Sequence, residues 1–221
     1  GSNTLTKNLI IFGQGLNKSH PYIYPLFDSV TNNNLEKFKI NFNNILKHSF
    51  IKYFDCVDFS TNKTHKYMLC HQTKIFACLS NFVALKGGEI KTNQYLSSEM
   101  AQLMSNLYLG HSVIYKNNIL NISDILTNYC LIRIVNENNI LINNIIDNYD
   151  IKSLKFLLNP LKRKIVNTNF NDDRILIQEI NNNPNIINNL SEDLYYDNDF
   201  KKLLSLDCLD GEEYNKVYNE I

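Results

Sequence analysis

The chain has 221 residues, 44% of them hydrophobic, which is enough for one large domain or two small ones with a real core. Its 22 basic residues balance 22 acidic ones, so no net field exists to recruit nucleic acid, and a nucleic-acid partner is not expected. No stretch approaches the roughly 18 uninterrupted apolar residues of a membrane span, and the start carries no basic segment followed by an apolar one, so a cytoplasmic protein without an export signal is expected.

In chain order, the sequence opens Gly1-Ser2-Asn3 without an initiating Met, which fits either a cloning scar or a piece of something longer. Phe12-Gly13-Gln14-Gly15 lacks the third glycine of a dinucleotide fingerprint and reads as a helix end with tight-turn glycines. The Asn-rich stretch near Asn32 is the candidate boundary between an apolar segment, 1–31, and the remainder, 32–221. A helix is predicted over 35–54 with Leu35, Phe38, Phe42, Ile45 and Leu46 inward. Leu69, Phe76, Leu79 and Val83 mark a second helix that stops at Gly87-Gly88, where a left-handed cap is free of steric penalty.

Leu96, Met100, Leu103, Leu107, Gly110 and Ile114 step by four and three and line up along one face of a third helix. Ser123 is the expected N-cap of a fourth, continuing through Ile132, Val135, Ile142 and Ile146. Beyond Tyr149 the elements shorten to 151–158 before Pro160, then 172–180, 184–190 and 212–220, expected to wrap the bundle as a looser tail. The predicted fold is therefore all-α: a bundle of about four long amphipathic helices with a C-terminal tail of shorter ones.

Chemistry is sparse on this frame. The five cysteines form no C-x-x-C pair and read as reduced, mostly packed thiols. No His-x-x-x-His pair exists, so a metal site is not expected. Cys70-His71 sit about 100° apart on a helix and cannot act as a nucleophile and base. Runs such as Asn32-Asn33-Asn34 read as compositional drift that carries no chemistry. Lys162-Arg163-Lys164, with Phe156, Leu157 and Leu161 nearby, reads as a solvated turn, the alternative being a patch for anionic lipid headgroups or an acidic partner.

The run Asn3-Thr4-Leu5-Thr6-Lys7-Asn8-Leu9-Ile10-Ile11-Phe12-Gly13-Gln14-Gly15, followed by His20-Pro21-Tyr22, resembles a stretch of the bacterial long-chain acyl-CoA dehydrogenases of fatty-acid β-oxidation. The resemblance continues through Leu85-Lys86-Gly87-Gly88-Glu89-Ile90-Lys91, Leu96-Ser97-Ser98-Glu99-Met100, Ser105-Asn106-Leu107-Tyr108-Leu109, Asn159-Pro160-Leu161-Lys162-Arg163 and residues 184–190. In that family a Glu-Gly pair stands just before the Asn-x-Leu-Thr run.

The resemblance implies that 1–31 ends the helical part of an FAD-binding dehydrogenase core and that 32–221 is a C-terminal helical extension. The family's Glu would remove the α-proton of an acyl-CoA while the β-hydride passes to the flavin, yielding trans-2-enoyl-CoA. That Glu would precede Gly1, so no catalytic residue is expected within the chain. Gly1 matches the family's substrate-side glycine, and Ser2, Asn3 and Thr4 match positions that touch FAD. If Gly1-Ser2 is a scar, Asn3 and Thr4 alone carry over, and Ser2 departs from the family's usual Thr. Further implications are an electron-transfer flavoprotein as electron acceptor, a homodimer, and peripheral attachment at the inner membrane. If the chain stands alone, residues 9–12 should be exposed or misplaced for want of their partners. A rival reading is a stand-alone, non-enzymatic helical interaction module derived from that extension.

Overall fold

The computed structural model describes residues 6–57, 64–86, 89–90, 92–168, 170–191 and 211–220, without the side chains of 9, 11, 12, 16, 17 and 220. Every element in these residues is helical. A π-helical segment, Thr6–Gln14, runs directly into α1 (Gly15–Ser19), followed by α2 (Ile23–Thr31). Four long helices come next: α3 (Leu35–Asp55), α4 (His65–Ala84), α5 (Gln94–Leu120) and α6 (Asp124–Asp147). Then follow α7 (Lys152–Leu158), a 3-10 turn (Asn159–Leu161), α8 (Phe170–Asn182), α9 (Asn185–Ser191) and α10 (Gly211–Glu220). The chain divides into two compact units, Gly1–Glu179 and Ile180–Ile221. The second comprises the end of α8 with α9 and α10 among its described residues.

Side-chain caps start the long helices where the sequence supplies oxygen acceptors. Asn34 accepts from the Lys37 amide at 3.0 Å, Thr64 from Tyr67 at 3.3 Å, Asn93 from Leu96 at 3.1 Å and Ser123 from Leu126 at 3.3 Å. Asparagine also ends and turns the chain: Asn33 and Asn121 adopt φ of 50° and 47°, left-handed values that Asn tolerates better than other side chains. The run at residues 32–34 thus forms the solvated turn between α2 and α3, where Asn33 takes the left-handed position and Asn34 caps α3.

The core of the first unit lies among α4, α5 and α6. Leu69, Ile75, Leu79 and Val83 from α4 meet Met100 and Leu103 from α5, and Leu131, Val135, Ile142 and Ile146 from α6, all nearly inaccessible to water. The expected face of α5 is the observed one, and Gly110 sits on it for a packing reason. A Cβ there would stand 2.8 Å from both terminal carbons of Leu69, so the bare glycine lets α4 and α5 approach closely. At the far end of α6, Lys86 closes the bundle. Its ammonium, on a side chain 3% exposed, pairs with Asp150 and lies 5.3 Å from the centre of the Tyr149 ring. The Tyr149 hydroxyl donates to the Phe82 carbonyl at 2.7 Å.

Two expectations are overturned. The glycines of residues 12–15 end no helix: the π-helical turn runs through Gly13 into α1, and neither Gly13 nor Gly15 adopts positive φ. Helix α3 forms where predicted, but none of its residues is buried, and Leu35, Phe42 and Leu46 are exposed although expected to face inward. Periodicity identifies an apolar face; it does not say whether this chain covers it. Gly87-Gly88 lie outside the described residues, and α4 itself stops at Ala84 with Leu85 as its cap.

Candidate functional surface

Gly1, Ser2, Asn3 and Thr4, the candidates for the rim of a substrate and flavin site, lie outside the described residues. The segment that follows them is anchored on the bundle. Lys7 donates to Gln102 on α5, and Asn8 is buried. His20 is buried, and its Nδ1 accepts the amides of Tyr22 and Ile23, each at 3.2 Å. Its proton therefore sits on Nε2, which donates to Oδ1 of Asn81 on α4 at 2.7 Å. His48 from α3 packs edge-on against His20 with ring centres 5.1 Å apart, and burial together with the neighbouring imidazole holds its pKa below the ordinary value. Of the residues expected to be exposed at 9–12, Ile10 is half exposed, and the side chains of the other three lie outside the description.

The basic group at Lys162, Arg163 and Lys164 does not present as one cluster of cations. Lys162 pairs with Asp147, and the Arg163 guanidinium turns inward to the Cys56 carbonyl at 3.3 Å, beside the buried His71 ring. Lys164 is exposed. Of the apolar residues expected to accompany them, Phe156 and Leu157 are exposed, but Leu161 belongs to the core.

What organises this stretch is a set of asparagines that the sequence reading passed over. Asn143 accepts the Arg163 amide at 3.0 Å and donates to its carbonyl at 2.9 Å, while Asn136 does the same for Val166, both at 2.8 Å. Between them Asn139 donates to the Lys164 carbonyl at 2.9 Å. Their spacing of three and four places them along one face of α6, and they hold residues 163–166 against it as a strap, bonding the amide and carbonyl of Arg163 and of Val166 and the carbonyl of Lys164. Gln72 on α4 backs the row, donating to Asn139 and to the Val135 carbonyl at 2.8 Å each and accepting from Asn138 at 2.9 Å. Polar residues recurring on a buried helix face were the available signal.

Beyond the strap, a cleft of about 680 Å³ opens beside Tyr129, Arg133, Asn136, Phe170 and Asp173. Arg133 donates to the Tyr129 hydroxyl at 2.8 Å, and that hydroxyl donates to Asp173 at 2.8 Å, so charge runs from cation to anion through a phenol and is balanced within the wall. The thiols show a comparable internal pairing. Cys78 is buried beside Cys56, and the interaction between the two thiols pushes Cys78 up and draws Cys56 down, with the Arg163 charge adding to the latter. Cys70 is exposed while His71 is buried, so the adjacent pair points apart. Among the described residues no three His, Cys, Asp or Glu side chains converge as metal ligands would, and no described helix is long and apolar enough to cross a membrane.

Apolar side chains also meet water along α2 and α3, where Tyr24, Phe27, Val30, Leu35, Ile40, Phe42, Leu46, Phe50, Ile51 and Phe54 are exposed on more than one side of the helices. Comparison with known proteins gives one family: the family model described as "Acyl-CoA dehydrogenase, C-terminal, bacterial type" matches residues 17–207. No solved structure matches the chain.

Proposed function

The chain belongs to the bacterial-type acyl-CoA dehydrogenase C-terminal family, and from that premise we propose that it is the helical buttress of an FAD-dependent enzyme oxidising long-chain acyl-CoA to trans-2-enoyl-CoA. The family implies FAD in the parent enzyme, where the flavin accepts the β-hydride. The part proposed for this chain is mechanical. It holds the segment leading from Gly1, Ser2, Asn3 and Thr4 against a rigid core, and so fixes the rim of the substrate and flavin site.

The observation that carries this reading is the anchoring of that segment within a chain matched by the family over residues 17–207. Lys7 reaches α5, and buried His20 reaches α4 through a hydrogen bond whose tautomer is set by two backbone amides. A displacement of α4 or α5 would thus be felt at Lys7 and His20, in the segment that follows the rim candidates. Small displacements of positioning groups are expensive in catalysis, since about 1 Å can lower a rate roughly a hundredfold. Electron-transfer flavoprotein as acceptor and peripheral attachment at the inner membrane belong to the same proposal. In it, Lys164, Phe156 and Leu157 are the exposed members of the basic region available to a lipid surface.

The test uses the polypeptide encoded by the whole reading frame. It should bind FAD, and palmitoyl-CoA should bleach the flavin absorbance under anaerobic conditions. In that protein Asn81→Leu, which removes the His20 anchor, should weaken flavin retention and lower kcat severalfold. A product of the gene that neither binds flavin nor reduces it with any acyl-CoA sinks the reading.

A further inference from the structure

Two imidazoles meet where α3, α4 and the turn before α2 come together. His20, in that turn, is buried, and both of its ring nitrogens are engaged. Its Nδ1 accepts the amides of Tyr22 and Ile23, each at 3.2 Å, and its Nε2 donates to Oδ1 of Asn81 on α4 at 2.7 Å. His48 on α3 stands edge-on to this ring with centres 5.1 Å apart, and Tyr22 stands edge-on to both, 5.6 Å from His48 and 6.3 Å from His20. The Nδ1 of His48 is buried without a hydrogen-bond partner, as is the Nδ2 of Asn81. His48 therefore packs here as a neutral aromatic body, with no bond at its inner nitrogen that a charge would strengthen.

The surroundings oppose a proton on either ring. On His20 it would enter at Nδ1, where two N–H groups already point, so that donor would face donor. Burial first, then the His20 ring and the Lys52 ammonium, hold His48 below its ordinary value of 6.5. Lys52, one turn along α3, pairs with Asp55 at 3.3 Å on the outer side of the helix. From α4 the facing group is Asn81, whose Oδ1 favours a charged His48 but is already taken by His20. Nearer the start of α4, His71 and Arg163 meet the Cys56 carbonyl where α3 ends. Among the described residues no carboxylate bonds to either His20 or His48.

Helix α3 has no buried residue, so individual contacts weigh heavily in its attachment. Asn41 donates to the Pro25 carbonyl at 3.1 Å, the Tyr53 hydroxyl donates to the Leu157 carbonyl at 2.8 Å, and His48 makes its ring contacts between them. We propose that His20, His48 and Asn81 form an acid-sensitive latch, closed while both rings are neutral, that releases α3 from α4 and from the turn at His20 in mildly acidic solution. Above 6.5 the open and closed forms are both unprotonated and closure is at full strength. As pH falls below 6.5 the open form takes up the proton first, and closure weakens until the closed form binds it too. The latch goes beyond the dehydrogenase reading and does not depend on it, because it acts within this chain.

The test is hydrogen exchange of the full chain at about pH 7.5 and about pH 5.5, a window in which an ordinary histidine changes charge, with rates corrected for the intrinsic pH dependence of exchange. A helix cut from its support is marginal in water, so the amides of α3 should lose protection severalfold at the lower pH. The limit is about tenfold for one histidine that binds its proton only in the open form. Circular dichroism should show the same helix content at both pH values. His48→Phe keeps the ring contacts and loses only a nitrogen without a partner, so it should leave α3 equally protected at both. Asn81→Asp sets a carboxylate within reach of both rings and should also keep α3 protected at the lower pH. Protection of α3 indifferent to pH in the unaltered chain overturns the proposal, as does a general loss of helix content in place of local opening. A fall that persists in His48→Phe assigns the response to another group, such as His71, and overturns it too; so does acid opening undiminished in Asn81→Asp.

Discussion

At Gly110 the closeness of two helices depends on one missing methyl group. A Cβ there would stand 2.8 Å from both Leu69 methyl carbons, and Leu69 is fully buried, so its side chain has nowhere to swing. Gly110→Ala gains about 1 kcal/mol of helix propensity and incurs about 1–3 kcal/mol of overpacking. The expected result in urea unfolding is a net loss of about 1 kcal/mol, and a more stable variant would show that α4 and α5 have room to spare. Tyr149 makes a different kind of prediction. Burial, assisted by the Asp150 charge, pushes its pKa from 10.0 up to about 12, because the native state keeps the phenol neutral and bonded to the Phe82 carbonyl. Below the unfolded value of 10.0 both states hold the proton and the stabilisation is complete; as pH rises toward about 12 the unfolded state alone releases it, and stability falls. Tyr149→Phe should flatten that alkaline slope in denaturation curves taken at successive pH values. At neutral pH it should remove about 1 kcal/mol with the lost hydrogen bond.

Helix α6 shows at the scale of an element why the strap at residues 163–166 has a defined course. An extended segment packed on a helix has no ladder partners, and Asn136, Asn139 and Asn143 supply them. Asn143→Ala should leave the amide and carbonyl of Arg163 without these partners, at about 1–3 kcal/mol. The measurement to make is hydrogen exchange, in which amides 163 and 166 should lose protection before the core of α6 does. Uniform loss across α6 would mean that the asparagines stabilise the helix and not the strap. The sequence made α5 and α6 legible because each has a strong stripe, such as Leu96 to Ile114, and because Ser123 is an unambiguous cap. It could not reveal the clamp, since a polar residue on a buried face gains its meaning from a partner 20 or 30 residues away. For α3 the stripe was legible and its direction was not: whether Phe42 and Leu46 face this chain or another molecule depends on what else is packed there. The glycines at 13 and 15 were misread for a local reason, as glycine permits both a helix end and its continuation.

For the whole molecule, the proposed buttressing makes stability and flavin binding one property rather than two. The rim candidates Gly1, Ser2, Asn3 and Thr4 precede a segment tied to α4 at Asn81 and to α5 at Gln102, the same two helices that Gly110 and Leu69 bring together. A perturbation at Gly110 touches neither flavin nor substrate, and it acts on the frame that carries the rim. In the complete enzyme Gly110→Leu should therefore lower the temperature of flavin release in step with the temperature at which helical ellipticity is lost. Asn81→Leu should lower flavin release with a smaller change in helix melting, because it cuts the tie and leaves the frame. The two transitions are followed on one sample, by flavin fluorescence and by circular dichroism. Flavin release unmoved by Gly110→Leu, in protein whose helices melt earlier, would separate the bundle from the cofactor site.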